Sequence, residues 1–447
     1  LTLNFWHIFC FVSSWLTNAY LCEEIMMQHS DYPLSEVPIS ARKGLLSTSA
    51  VLLGFTFFTA TMWAGGTLGQ AFPIGQLLWI ILVGNLLLGT YAAALAYIAC
   101  KSGLNSVLMG RFCFGEKGSK LSDFILGFTQ IGWYAWGTAT IALVLVRTIG
   151  MPDWLEIPLM VLFGFGFCVT AMIGYRGMDW PSRFAVPAMM LFILISLFTG
   201  LVDVGGFAGL SQQTPTESMG VAAAITVIIG TFISGGTQAT NWSRFAKTPK
   251  IAVIATLAAF FIGNGLMVLT GALGTMIYQQ ADIVDVLIAQ GFVTIAVLML
   301  FLNIWTTQDN TIYNFAVAGC NLLRTEKRRL VTVGGAAIGT VLAVGGMYNL
   351  LIPFLVLLGT FIPPMGGVIM ADFWLKQKGR YPALEAAQLP DFNRRGLAAY
   401  ALGAGAAYFS PLLPPLVGVA VAAASYAVLL RVNHATLSDN LPSPAKP

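Results

Sequence analysis

Charge is what this chain has least of. Asp, Glu, Lys and Arg make up only 9% of its 447 residues, against 57% hydrophobic residues and a mean hydropathy of +0.78. A soluble domain of this size does not tolerate that balance, so the chain reads as an all-α polytopic membrane protein. Histidine is nearly missing too: His7, His29 and His434 lie near the termini, which excludes a buried histidine proton relay. The six cysteines, Cys10, Cys22, Cys100, Cys113, Cys168 and Cys320, form no CxxC or Cys/His grouping, which argues against a metal knot or a disulfide framework. GxSxG, HExxH and paired intramembrane carboxylates are likewise missing, so an intramembrane hydrolase has no support and the chain is not expected to be an enzyme. A net charge of +4 offers nothing to a nucleic-acid partner. The longest polar connection runs only from 373 to 396, so function has to sit among the apolar segments.

What is present is a series of apolar stretches of about 20 residues, the length that crosses a bilayer as a helix. They fall at 46–69, 74–99, 121–148, 154–174, 184–202, 220–242, 250–278, 293–322, 331–348, 350–372, 397–413 and 414–432, which predicts twelve spans. With the connecting loops assigned alternately to two sides, all 23 basic residues except Arg147 fall on the side of the N-terminus. The positive-inside rule then puts both termini in the cytoplasm and the protein in the cytoplasmic (inner) membrane. Residues 1–26 begin with Leu1 and hold an apolar run without a basic n-region or a clean cleavage site. They read as a non-native extension from an upstream start, with an extra spanning or surface helix as the competing reading. A cytoplasmic tail at 27–45 follows, and another at 433–447 closes the chain.

The most polar run inside the apolar background is Asn303-Ile304-Trp305-Thr306-Thr307-Gln308-Asp309-Asn310. At about 100° per residue, Asn303, Thr306, Thr307 and Asn310 share one helix face. Such a stripe cannot face lipid and has to meet a cavity, an ion, a solute or another helix. Helix-to-helix glue normally takes only one or two such residues. Asp309 lies about 200° around the helix from Thr307. It is expected to bond hydroxyl or backbone groups of a neighbouring helix rather than carry coupling charge.

The first and sixth spans each hold Gly and hydroxyl residues in mid-span, at Gly54-Phe55-Thr56-Phe57-Phe58-Thr59 and Gly230-Thr231-Phe232-Ile233-Ser234-Gly235-Gly236. These are equivalent positions if 46–202 and 220–372 are two five-span repeats, the second inverted, with 397–432 supplying two further helices. Interrupted spans at corresponding positions of two halves point to a secondary transporter's binding site; close packing through small residues is the plainer alternative. In the third span Gln130, Trp133 and Gly137 share a face, pairing an amide with a flat apolar surface that suits a planar heterocycle.

These segments resemble the cytosine permeases of the nucleobase-cation-symport-1 family over about Ile39 to Leu430. The likeness is carried by Ser40-Ala41-Arg42-Lys43-Gly44, Thr56-Phe57-Phe58 through Gly69, Gly84-Asn85-Leu86-Leu87-Leu88-Gly89, Gln130 with Gly132-Trp133, Ile288-Ala289-Gln290-Gly291, Asn303 to Asn310, and Ile362-Pro363-Pro364 with Gly366-Gly367. The resemblance implies a leucine-transporter-like fold of two inverted five-helix repeats plus two helices, and sodium-coupled import of cytosine by alternating access. It implies a sodium site at the carbonyls of Gly54, Phe57 and Asn303 and the hydroxyls of Thr306 and Thr307. A base would stack between Trp133 and Phe232 and meet Gln130, Asn303, Thr231 and Ser234. Stacking of this kind is worth about 1 to 3 kcal/mol per base. Gln308 stands where the family's cytosine branch has Asn and would enlarge or shift the polar edge, and Asn241-Trp242 replaces an Asp-Phe pair. No cofactor is implied beyond the coupling ion; the partners are base, sodium and bilayer, and the sequence is compatible with a monomer without fixing the oligomeric state. A related pyrimidine or purine-like solute, such as hydroxymethylpyrimidine or another nucleobase, and proton coupling remain alternatives.

Overall fold

Apolar helices alone satisfy every backbone group of a chain this poor in polar residues, and helices are what it forms. The computed structural model describes residues 31–438. The expectation for residues 1–26 and the end of the 433–447 tail lie outside the described residues. Apart from one isolated bridge between Lys43 and Ala246, the described residues contain no strand pairing.

The first half comprises α1 (Leu45–Thr56), α2 (Thr59–Ala71), α3 (Ile74–Ser102), the short α4 (Ser106–Phe114), α5 (Ser119–Ile149), α6 (Glu156–Gly166), α7 (Cys168–Ile173) and α8 (Tyr175–Asp203). The second comprises α9 (Val221–Gln238), α10 (Thr240–Ser243), α11 (Pro249–Tyr278), the short α12 (Ile283–Ala289), α13 (Val293–Leu323), α14 (Arg328–Val344), α15 (Leu351–Phe361) and α16 (Pro363–Ala371). Two more helices, α17 (Arg394–Phe409) and α18 (Pro414–Val432), pack on each other, and α18 also covers α16. Helix covers each of the twelve apolar stretches. Among the described residues seven helical stretches meet the length and apolarity of a membrane span on their own, and an eighth does so if α1 and α2 form one bent span.

Contacts repeat when the halves are exchanged. The broken α1–α2 packs through α2 on α11, and its counterpart α9 packs on α3; α5 packs on α14 as α13 packs on α7, and α5 and α13 pack on each other. Close approach of α2 and α11 rests on glycine: a Cβ at Gly65 or Gly69 would strike the carbonyl of Val268 or Ala272, and one at Gly271 the carbonyl of Met62. Small residues let these backbones meet without intervening side chains.

Both central helices are broken. Between α1 and α2 the chain bends by 57°, with Phe57 and Phe58 outside helical dihedrals. In α9 the break falls on Phe232, at φ −135° and ψ 16°. The glycines therefore flank the breaks rather than form them. Gly235 instead makes room for the rings of Phe55 and Phe232, 2.7 Å from where its Cβ would stand. Such interruptions survive at membrane depth only where protein satisfies the freed groups, and here α13 lies across the first one.

Candidate functional site

Where α1 stops, its last turn leaves carbonyls of Gly54, Phe55 and Thr56 without a backbone N–H, since Phe58, Thr59 and Ala60 do not continue the helix. The stripe of α13 faces this end. Thr307 Oγ1 donates to the Phe57 carbonyl at 3.0 Å, and Thr306 Oγ1 donates to the Leu302 carbonyl at 2.8 Å. A Cβ at Gly54 would stand 3.4 Å from Thr306 Cβ and 3.0 Å from Ser182 Oγ, a buried hydroxyl on α8 with no hydrogen-bond partner. Gly54, Phe57, Thr306, Thr307 and Ser182 thus surround one small region lined by neutral oxygens. The C-terminal end of α1 adds the negative end of its dipole, and that combination suits a monovalent cation. Among the described residues no group of three or more His, Cys, Asp or Glu side chains is placed to hold a metal.

Asn303 joins this region to the next. Its Oδ1 accepts the N–H of Thr59 at 3.1 Å. Only an oxygen can face that N–H, so the amide orientation is settled and Nδ2 is left pointing elsewhere, buried and unpaired. Gln130 on α5 is fully buried with both ends of its amide unpaired. Trp133, one turn on, is 6% exposed and donates from Nε1 to Ser234 Oγ at 3.3 Å, tying α5 to α9 just past the break. Phe58 lies edge-on to Trp133 at 5.6 Å and to Phe232 at 6.4 Å, so the two expected stacking rings meet the same face-forming ring. A buried amide with both ends free is costly unless a ligand pairs it.

Two more of the expected site residues, Thr231 and Gln308, have hydrogen-bond partners within the protein. Thr231 donates to the Ile228 carbonyl and accepts from Asn264 Nδ2 at 3.1 Å, within a network that runs on to Asn85 and Thr61. Gln308 crosses to α5, where its Nε2 donates to the Tyr134 carbonyl at 2.7 Å over Gly137, which leaves only Oε1 unpaired. Asp309 accepts from Thr170 Oγ1 of α7 at 3.1 Å and from the adjacent Asn310 Nδ2 at 3.0 Å. Sequence reasoning missed Ser182, Phe58 and the Asn85–Asn264–Thr61 network. Asn264 is a lone polar residue in an apolar stretch, Ser182 stands among the charges of Asp179 and Arg183, and Phe58 is one apolar residue among many, so none carried a periodic signal.

The region is closed on the face that carries the N-terminal segment. Phe55 packs edge-on against Phe232 at 5.1 Å and at a tilt of 47° against Trp242 at 4.8 Å, and Asn241 Nδ2 donates to Asn314 Oδ1 at 2.7 Å. Below them the fully buried Arg244 donates to the carbonyls of Asp31, Tyr32 and Ser35. Asp31 pairs with Arg328 at 3.3 Å; burial pushes its carboxyl above the ordinary range and the guanidinium of Arg328 draws it back down. On the opposite face a cavity of about 440 Å³ opens between Trp63, Trp136, Gly230 and Tyr348.

A profile of the family described as "Permease for cytosine/purines, uracil, thiamine, allantoin" matches residues 36–429. The cytosine permease of Escherichia coli (strain K12) is 38% identical over 405 residues, covering 90% of this chain and 95% of that protein. Among solved structures, Mhp1, a nucleobase-cation-symport-1 family transporter in a closed conformation with bromovinylhydantoin bound, superposes with a TM-score of 0.81 at 18% identity, covering 90% of this chain and 95% of that one. A Na+-coupled sialic acid symporter in a substrate-bound outward-open state superposes with a TM-score of 0.67 at 14% identity, covering 88% and 90%.

Proposed function

The chain belongs to this family of permeases for cytosine/purines, uracil, thiamine and allantoin, and is therefore a multi-pass nucleobase transporter of leucine-transporter-like fold rather than an enzyme; we propose that it imports cytosine, coupled to sodium, by alternating access. The observation that carries the reading is a set of buried amides with unpaired atoms on α5 and α13, two helices that pack on each other. Asn303 presents a fixed donor, Gln130 a donor and an acceptor, and Gln308 a fixed acceptor. Cytosine offers matching groups: its exocyclic amine donates, and its ring nitrogen and carbonyl accept. A base that put a carbonyl against an acceptor would leave buried groups unpaired, which is where discrimination arises.

Sodium would be held by the carbonyls of Gly54, Phe57 and Asn303 with the hydroxyls of Thr306 and Thr307. Ser182 joins that set because its unpaired hydroxyl stands beside Gly54. Neutral ligands bind a monovalent ion firmly enough to order the break yet release it again. Asn303 links ion and solute, since its carbonyl and its amide serve the two sites from one residue. An ordered break also fixes Phe58, so sodium binding would favour solute binding and the reverse, as coupling requires. Alternating access then amounts to exchanging the closed contacts of Phe55, Trp242 and Arg244 for closure around the opposite cavity. The distribution of basic residues supports cytoplasmic termini in the cytoplasmic membrane.

The test is competition against labelled cytosine uptake by uracil, hypoxanthine, allantoin, hydantoin and hydroxymethylpyrimidine. Cytosine is expected to compete best. If hydroxymethylpyrimidine or another base competes better, the substrate is that related solute, with Gln308 the first residue to re-examine.

A further inference from the structure

A single buried amide joins the two helix breaks. Asn264 sits on α11, fully buried, directly after a π-helical turn at Ala258–Gly263. One residue inserted into a helix rotates everything after it by about 100° relative to an unbroken one, and such turns concentrate at functional positions. Here the turn carries residues that face the breaks. Phe260 packs edge-on against Phe232 at 5.9 Å, and a Cβ at Gly263 would stand 2.6 Å from Thr56 Oγ1 at the end of α1.

The orientation of the Asn264 amide is fixed by its neighbours. Asn85 Nδ2 donates to the Ile81 carbonyl, so Asn85 turns its Oδ1 to Asn264 and accepts from Nδ2 at 2.8 Å. The other Nδ2 proton goes to Thr231 Oγ1 at 3.1 Å, whose own proton is given to the Ile228 carbonyl. Asn264 Oδ1 then accepts from Thr61 Oγ1 at 3.2 Å. None of these four side chains keeps an unpaired polar atom, unlike Gln130, Ser182 and Asn303. A ligand has nothing to pair with here, so the network acts by holding position. What it holds is Thr61, in the first turn of α2 past the first break, and Thr231, the residue before the second break at Phe232.

We propose that Asn264 is a positioning residue for coupling: through Thr61 and Thr231 it ties the first break to the second, so that ordering the break beside the ion ligands also sets the break that carries Phe232. Linkage between two ligands needs a physical connection between their sites. Asn303 supplies one by direct contact, and Asn264 supplies another with no ligand contact of its own. The assignment rests on the sodium-coupled reading above.

The experiment is equilibrium binding of labelled cytosine to purified full-length protein in lipid nanodiscs, in saturating sodium and in choline at equal ionic strength. The quantity read is the ratio of the two Kd values, from which a loss of active protein or a general weakening of base binding cancels. Gln130→Ala should weaken binding in both media and leave the ratio within about twofold of wild type. Asn264→Ala should shrink the ratio by about threefold or more while the Kd in choline stays within about threefold of wild type. Thr61→Val, which removes one hydroxyl at nearly constant volume, should shrink the ratio too, and Thr61→Ser should restore it. The Asn264→Ala/Thr61→Val double variant should lose no more than Asn264→Ala alone. A folding defect in Asn264→Ala leaves Thr61→Val to decide. An unchanged ratio in either folded variant, while wild type responds to sodium, overturns this assignment alone; a wild-type protein whose cytosine affinity ignores sodium overturns the coupled reading and this assignment with it.

Discussion

Asn303→Ala should weaken cytosine binding through two separable losses. Its Nδ2 is a buried, unpaired donor on the solute side, and one hydrogen bond to the base is worth about 0.5 to 1.5 kcal/mol, or roughly 2- to 12-fold in Kd. Its Oδ1 accepts the first N–H of α2 at 3.1 Å, and stranding that buried N–H costs a further ~1 to 3 kcal/mol, which falls on the ordered break and hence on both ligands. Asn303→Asp separates the two. A carboxylate keeps an acceptor for Thr59, removes the donor and adds negative charge beside the proposed ion ligands. Cytosine affinity should therefore fall by roughly 2- to 12-fold in Asn303→Asp, while the sodium concentration for half-saturation falls. In Asn303→Ala both affinities should worsen and the thermal midpoint should drop. The assay is equilibrium binding of labelled cytosine to purified protein across a sodium series, with thermal unfolding run in parallel. Wild-type cytosine affinity in Asn303→Ala would refute the placement of this amide in the solute site.

Thr306→Ala and Thr307→Ala should each raise the sodium needed for half-maximal uptake with membrane levels unchanged, because each removes a hydroxyl at the end of α1; unchanged sodium dependence in the double variant would remove α13 from the ion site. Asp309→Asn should keep most sodium-driven uptake, since Asn still accepts from Thr170 and neither partner of the carboxylate is a proposed ion ligand. A folded Asp309→Asn protein that binds cytosine but has lost sodium coupling would give the carboxylate a coupling role instead.

How far the sequence reached depended on whether a feature was periodic or solitary. The stripe of Asn303, Thr306, Thr307 and Asn310 stood out because four polar residues at helical spacing interrupt an apolar background, and the structure puts Asn303 and Thr307 of that face against the break after α1. The breaks were legible as regions, since Gly and Thr weaken a helix locally. Their positions at Phe57, Phe58 and Phe232 were not, because dihedrals there answer to packing on Trp133, Trp136 and Phe260. Side-chain direction was beyond sequence altogether: Gln308 turns to the Tyr134 carbonyl and Thr231 to Asn264 through bonds to residues far along the chain. Ser182 was invisible for the same reason. One serine between Asp179 and Arg183, outside the apolar stretch 184–202, looks like part of a polar connection until Gly54 and Thr306 are seen beside it.

The claim at the centre is sodium-coupled cytosine import, and the most direct measurement is labelled cytosine uptake in cells lacking their own permease, with external sodium replaced by choline or potassium. Saturable uptake that depends on sodium, with a fixed ratio of ions to cytosine, is predicted. Uptake that persists unchanged in choline and instead follows the proton gradient would contradict it.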